Sequence, residues 1–466
     1  MKNLVIRTSQ LGVAGILLST GLAPWAAQAQ SSNDIPALIE RINELEQKVK
    51  ILERNREVDQ EAAQSAAQTK ARTTPTVALG DNGLVVRSGD SNFSMNIHGY
   101  AQTDYRAYIG YKTLNDTFLL RRVRPIIEGT VYKMFDYRLM ADFGSGVTST
   151  GTNNNGFIDD AYVNARLLPD LQIQAGKYKA PFGLERLQST ANLPFIETGF
   201  PTQFTPNYDT GIIVHNGLFN KPVNYQVGIF NGVADAASGD METLDEGKEV
   251  VGRVFTQPFI KTDIAPLNGL GFGVAGTSGY RTGSTASYKT PGQQTLFAYA
   301  AGASYNGEQY RIDPQGYYYW GPFGVLGEYV INSQSIRNAA GVTQRFDNRA
   351  WQVIGSWYLT GEQNAFRPVA PLDPIGLNGG GWGAFELVGR FGQLKYDDRI
   401  FSLGYATAAS AQRADSWGVG LNWHLNKNVE LMTDYEQTTF HGGSTAAGSA
   451  TAKPEHAILT RAQVSF

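Results

Sequence analysis

From about Ser94 to Phe466, apolar and polar residues alternate with a period of two, the signature of half-buried β-strands. Over residues 97–109, Ile97, Gly99, Ala101, Tyr105 and Ala107 fall on one face. His98, Tyr100, Gln102, Asp104 and Arg106 fall on the other. Trp417, Val419, Leu421 and Trp423 alternate with Gly418, Gly420, Asn422 and His424, and Val429, Leu431, Thr433 and Tyr435 with Glu430, Met432, Asp434 and Glu436. Strands of a soluble sandwich also alternate. Here the polar face carries charges, and the apolar face is rich in aromatics near the strand ends. That combination predicts a transmembrane antiparallel β-barrel of about 16 strands, an all-β fold with an apolar exterior, aromatic girdles and a polar lumen.

The predicted connections alternate in length. Lys133-Met134-Phe135, Leu168-Pro169-Asp170, Asn220-Lys221-Pro222, Gly321-Pro322 and Asn426-Lys427-Asn428 read as short turns. Segments 144–156, 235–247, 282–294, 361–381 and 442–454 read as long outer loops. Membrane barrels pair short periplasmic turns with long outer loops in this way. In the last strand, Phe466, Val464, Ala462, Thr460 and Ile458 face one way, and Ser465, Gln463, Arg461 and Leu459 the other. A terminal Phe on an alternating strand is similar to the assembly signal of bacterial outer-membrane proteins.

Two regions break the period. Over residues 34–59, Ile35, Leu38, Ile42, Leu45, Val49 and Leu52 recur at spacings of three and four, an a/d seam that predicts a short N-terminal coiled-coil helix. Asp34 fits the N-cap and Pro36 the first turn. A seam this narrow needs partner helices; packing as a surface helix on its own barrel is the other reading. Residues 60–76 lose the pattern and read as a linker. At the N-terminus, Lys2 and Arg7 precede an apolar run from Leu11 to Leu22 and an Ala27-Gln28-Ala29 cleavage triplet, an export signal that would leave a mature chain starting near Gln30. The predicted divisions are therefore a signal peptide over 1–29, a periplasmic coiled coil over 30–60, a linker over 61–90 and the barrel over 91–466.

The other break is the segment 176–198. A strand built on Leu171, Ile173 and Ala175 runs into Pro181 and Gly183, then into Glu185, Arg186, Ser189 and Thr190, and stops at Pro194. A strand that opens into a long polar segment predicts a working loop, here one that folds into the barrel and sets what passes.

Composition narrows the chemistry. The absence of Cys excludes disulfides, thiolate metal sites and Cys nucleophiles. The five His show no ligand spacing, so no metal or other cofactor is implied. Gly271 to Gly276 matches a dinucleotide-binding fingerprint, but no βαβ unit surrounds it, and glycines in a barrel strand explain it. Asn153-Asn154-Asn155-Gly156 with Asp159 and Asp160 lacks the acidic spacing of a calcium loop. No Ser motif lies near a His, so an enzyme is not expected. The formal net charge is −3, so any preference for anions must come from where cations sit.

Those cations are Arg121, Arg122 and Arg124 in the second barrel strand, and Lys177, Lys179 and Arg186 around the working loop. Arg122 and Arg124 share a phase with Glu128 on the lumen side. Arg121 has the opposite phase and would need a bulge or a strand end to reach the pore. Converging guanidinium groups can replace an anion's hydration with forked N–H donors. A salt-bridge lattice that only holds the wall fits the same residues.

Phe182-Gly183-Leu184-Glu185, Arg121-Arg122, Gly383-Ala384-Phe385-Glu386-Leu387 with Arg390-Phe391, Leu421-Asn422-Trp423 and the terminal strand together resemble the phosphate-selective porin O and P family, over about 370 residues from the first strand to the C-terminus. The resemblance implies a 16-stranded trimeric barrel in the outer membrane of a Gram-negative bacterium, with an arginine-lined neck and a charged inward loop. Carried over by position, Arg121 and Arg122 stand as the neck pair and Asp159 as the acid beside the anion site. Arg186 replaces a pore lysine, and Ser189 and Thr190 stand as the hydroxyls that bind the anion. Where the family has an arginine in the first strand this chain has Tyr100, and Thr198 follows Glu197 where another arginine is expected. The outer arginine ladder is reduced to Arg281, with Lys289 beside it.

The expected function is passive diffusion of anions, phosphate or polyphosphate by resemblance, through a constriction of Arg121, Arg122, Arg124, Asp159, Lys179, Arg186, Ser189, Thr190 and Arg281. Expected partners are small inorganic anions, outer-membrane lipid and further copies in a homotrimer, with no nucleic acid. A general or cation-tolerant porin, and an envelope tether acting through the coiled coil, remain open.

Overall fold

The structure is a computed structural model that describes residues 34–110, 114–144, 157–217, 221–239, 247–376, 380–442 and 453–466. The expected signal segment, Asn220 and the Asn153–Gly156 stretch lie outside these residues. The chain forms two units that divide between residues 71 and 72.

The first unit holds helix α1 (Asp34–Thr73) except for its last two residues. Its apolar seam is exposed throughout, from Ile35 to Leu52. Lys48 Nζ meets Glu44 Oε1 at 2.5 Å and Arg54 meets Glu57 at 2.9 Å, exposed pairs that each add a few tenths of a kcal/mol. The helix passes well beyond the expected end of the seam. Residues 60–73 are rich in Ala, Gln, Glu, Lys and Arg, which favour helix without any apolar stripe. Pro75 disfavours helical geometry at the residue before it, and the helix stops there.

The rest of the expected linker is ordered as well. β1 (Thr76–Gly80) and β2 (Gly83–Arg87) form a hairpin across Asp81-Asn82, and β2 continues onto the first barrel strand. Gly83 takes φ +82°, and a Cβ there would lie 2.2 Å from Ile97 O, so the turn requires glycine.

The barrel is built from β3 (Phe93–Tyr108), β4 (Thr117–Val131), β5 (Phe135–Asp142), β6 (Phe157–Leu168), β7 (Leu171–Lys179), β8 (Tyr208–His215), β9 (Val223–Phe230), β10 (Glu249–Thr256) and β11 (Leu270–Ser284). A short hairpin follows, β12 (Ser287–Lys289) with β13 (Thr295–Ala298). Then come β14 (Ser304–Trp320), β15 (Phe323–Arg337), β16 (Thr343–Tyr358), β17 (Ala384–Lys395), β18 (Arg413–His424), β19 (Val429–His441) and β20 (Glu455–Ser465). Neighbours are antiparallel, β11 pairs with β14, and β20 pairs with β3, closing 16 strands. Gly99 and Phe466 exchange two backbone hydrogen bonds of 2.9 Å, so the terminal Phe completes the seam. Gly271 to Gly276 lies inside β11, as an ordinary strand segment.

The period-two phase sorts the side chains. Gln102, Asp104, Arg106, Gln463 and Arg461 are buried inside, while Val419, Leu421 and Val464 are exposed outside. Phe323 stacks on Trp357 at 5.7 Å and Phe385 on Trp423 at 5.5 Å near the turn end, the aromatic rim expected at a membrane interface.

One expected loop lies at the wrong end. The pairs Phe323↔Trp357 and Tyr358↔Glu386 put the connection 359–383, read as an outer loop over 361–381, at the same end as the Gly321-Pro322 turn. The connection 257–269 is at that end too. Length and Gly content mark a loop, but only the strand count before it says which end it occupies.

Candidate functional site

The lumen is filled from the loop end by the segment between β7 and β8. Gly183, at φ +83°, turns the chain into a one-turn helix α2 (Leu184–Leu187). A 3₁₀ turn, Phe200–Phe204, brings it back. Phe182, Leu184, Phe195, Ile196, Phe200 and Phe204 are buried, each contributing on the order of 2 kcal/mol. Phe182, Phe200 and Phe204 join an aromatic cluster with Tyr288 and Phe297 of the β12–β13 hairpin and with Tyr396. Phe297 stacks on Tyr396 at 3.8 Å. The 282–294 loop is thus packed into the barrel through its hairpin.

Wall carboxylates hold this inward loop by its backbone. Leu184 N donates to Glu328 Oε2 at 2.7 Å, and Ile196 N to Asp434 Oδ2 at 2.6 Å. Within the loop, Gly199 N donates to Glu185 Oε2 at 2.9 Å, and Gln352 Nε2 of the wall bridges Glu185 and Glu328 at 2.8 Å each. Arg390 donates to Glu197 O at 2.8 Å, pairs with Glu436, and lies over the Phe195 ring at 4.3 Å. Charge-assisted bonds of this kind are the stronger ones, and in a buried setting each also prevents an orphaned N–H.

The expected site residues divide into groups. Arg121 reaches the lumen through a β-bulge: Gln102 faces Arg122 and Thr103 faces Leu120, leaving Arg121 without a cross-strand partner. Its Nε and Nη2 donate to Glu197 at 2.6 and 3.1 Å, and Arg106 reaches the same carboxylate at 2.6 Å. Arg121 therefore braces the loop. Arg124 is saturated, pairing with Asp142 at 2.8 Å and Asp159 at 2.6 Å and donating to Tyr100, Thr190 and Tyr208 hydroxyls at 3.0, 2.9 and 3.4 Å. Thr190 also meets the Tyr100 hydroxyl at 2.7 Å. Tyr100 thus joins the Arg124 and Thr190 network from β3.

Three cations have neutral partners. Arg122 donates to Gln102 Oε1 at 2.9 Å. Lys179 donates to Gln188 O at 2.7 Å. Arg186 donates to Thr205 Oγ1 at 3.0 Å and Thr202 O at 2.7 Å. Among the described residues none of the three forms an ion pair, and Arg186, Arg124 and Arg122 lie near enough for their charges to act on Lys179. Ser189 is exposed to the lumen, its Oγ accepting from Ala191 N at 3.3 Å.

A cavity of about 270 Å³ gathers Arg124, Lys179, Ser189 and Thr190 with Arg138 and Tyr100, Tyr162, Tyr178 and Tyr208. Through Arg138, Tyr162 and Gln174 it adjoins a wider one of about 620 Å³ that reaches Pro169 and Lys221 at the turn end. Arg281 does not share this space. It lines a separate cavity of about 30 Å³, donates to Gln309 at 2.7 Å and lies 3.6 Å from Glu249. Thr198 accepts from the Thr202 hydroxyl at 2.8 Å, inside the loop.

The sequence pattern of the phosphate-selective porin O and P family matches residues 95–466. The chain belongs to that family. It is 22% identical to Porin O of Pseudomonas aeruginosa over 381 residues, 76% of this chain and 84% of that protein. The outer membrane channel DcaP of Acinetobacter baumannii shares the fold with a TM-score of 0.52 and 10% identity, over 82% of this chain and 99% of that one. OmpF of Salmonella typhi, in a complex with daunomycin, does so with a TM-score of 0.50 and 10% identity, over 84% and 100%.

This porin is therefore a non-enzymatic channel of the Gram-negative outer membrane, and the end carrying the short turns is periplasmic. Sequence reasoning missed Arg138, which pairs with Glu128 at 2.5 Å and Asp160 at 2.9 Å, and the four tyrosines of the cavity as a group. Strand phase could have found Arg138: it alternates with the more exposed Leu139 and shares a face with buried Met140. No local signal brings four tyrosines from four strands together.

Proposed function

We propose that this porin passes small anions by passive diffusion along the wall formed by β3 to β8. The observation that carries this reading is the trio of Arg122, Lys179 and Arg186, cations beside the inward loop with only neutral hydrogen-bond partners. Such groups attract an anion without first releasing a carboxylate. The wall opposite contributes carboxylates that already accept N–H groups, so their field on the path is reduced. Phosphate and polyphosphate are the first solutes to try, because the family is described as phosphate-selective. The homotrimer suggested by the family resemblance is consistent with the exposed seam of α1, which three copies could bury in a coil.

Reversal potential across a bilayer in a KCl gradient tests the reading. An anion preference is expected, and a cation preference overturns it. Block of chloride current by phosphate then measures phosphate affinity separately. A weakly selective general porin is the second reading. It is favoured by Arg124 and Arg138, each of which already pairs with two carboxylates. Crosslinking in intact cells, with loss of the trimer band on deleting residues 34–59, tests the coil.

A further inference from the structure

The cavity beside Lys179 is unlike a site for a bare, multiply charged oxyanion. Its positive charge is largely used internally. Arg124 faces Asp142 and Asp159, and Arg138 faces Glu128 and Asp160, so two guanidinium groups meet four carboxylates. Lys179 is the cation of the lining without an ion pair. One of its three donors goes to Gln188 O, leaving two for a ligand. Ser189 and Thr190 add hydroxyls at the same end.

The remaining walls are mostly aromatic and apolar, through Tyr100, Tyr162, Tyr178, Tyr208, Met140 and Ile213, with the amides of Gln174 and Gln226 as well. Tyr100 and Tyr208 direct their hydroxyls to Arg124, and the Tyr178 hydroxyl reaches Gln174 O at 3.3 Å. The Tyr100 O–H is shared with Thr190 Oγ1 and the Tyr178 O–H is taken by Gln174 O, so these two offer a ligand mainly their rings. Tyr162 and Tyr178 meet edge to face at 5.7 Å, and Tyr178 meets Phe230 the same way at 5.4 Å, a stacking geometry that a further ring can extend. A hydrated phosphate entering such walls would lose water over the rings, where little replaces its hydrogen bonds, and both guanidinium groups it would meet are already paired. A flat ring bearing one carboxylate matches both halves.

We propose that this cavity binds singly charged aromatic carboxylates, with the carboxylate on Lys179 and Ser189 and the ring among the tyrosines. The proposal rests on the anion-passing reading above and names the solute class that the site selects. The cavity volume of about 270 Å³ falls just below the roughly 300–1,000 Å³ usual for ligand pockets and suits a single substituted ring.

The test is block of chloride current through the full-length porin in a planar bilayer by benzoate, acetate and inorganic phosphate at pH 7. Benzoate is expected to reach half-block at a concentration at least about tenfold below acetate and phosphate. Tyr162→Ala should raise the benzoate value about fivefold and leave acetate unchanged, and Met140→Ala, on another strand, gives a second reading if Tyr162→Ala does not assemble. Lys179→Gln should weaken block by both carboxylates. Equal block by benzoate and acetate, or stronger block by phosphate, in a channel that remains anion-selective overturns this proposal alone. A cation-selective channel overturns the anion reading and this proposal together.

Discussion

The two walls of the lumen use charge in opposite ways. On β15 to β19, Glu328, Asp434 and Glu436 with Arg390 are buried against the inward loop, accepting its backbone N–H groups or pairing with one another. On β3 to β8, charged groups line open cavities, and Lys179 keeps donors free of any carboxylate. The first wall fixes where the loop lies. The second, together with the loop's free face, decides what the remaining space attracts. A charge count along the chain cannot make this distinction, because a carboxylate that accepts an amide proton inside the barrel and one that faces water contribute equally to it.

Breaking the anchored wall should have the largest effect. Arg390→Ala leaves Glu436 and Glu185 without their guanidinium and removes the bond to Glu197 O. Loss of one partner from a buried pair costs about 3–5 kcal/mol. The folded barrel should melt at a lower temperature, and its single-channel conductance should rise as the loop loosens. Unchanged conductance would show that the loop is held without this wall.

Gly199→Ala tests the same wall more gently. An added Cβ would sit 1.8 Å from Oε1 of Gln352, whose Nε2 bridges Glu185 and Glu328. Overpacking of this kind costs about 1–3 kcal/mol. Thermal melts in detergent should fall between those of the wild type and Arg390→Ala. Ser189→Ala, on the open side, removes only an exposed hydroxyl with one long local bond. Stability should change by less than about 0.5 kcal/mol, and phosphate block by less than about twofold if the hydroxyl is one of several donors.

Much of this fold was legible from residue order. Alternation located the barrel strands, the phase of Gln463 and Arg461 put them inside, and Phe466 marked the closing strand. The contrary phase of Arg121 left a bulge or a strand end as its routes to the pore, and the register of β3 against β4 contains a bulge. Other features were not readable because their causes are not local. The helix beyond residue 60 rests on Ala and Gln propensity, which carries no period. Segment 359–383 looks like any outer loop until the strands before it are paired. Above all, the sequence shows that Arg124 and Lys179 are cations. It does not show that Asp142 and Asp159, from β5 and β6, neutralise the first while the second meets only a carbonyl.

The most direct measurement is the reversal potential of Lys179→Gln beside the wild type, in the same KCl gradient. The wild type should be anion-selective and the variant shifted toward zero, with the chloride-to-potassium permeability ratio reduced at least about threefold and the assembled barrel unchanged in melting temperature. An identical reversal potential in the two proteins would contradict this expectation, because the open wall would then not be what the permeating ion senses.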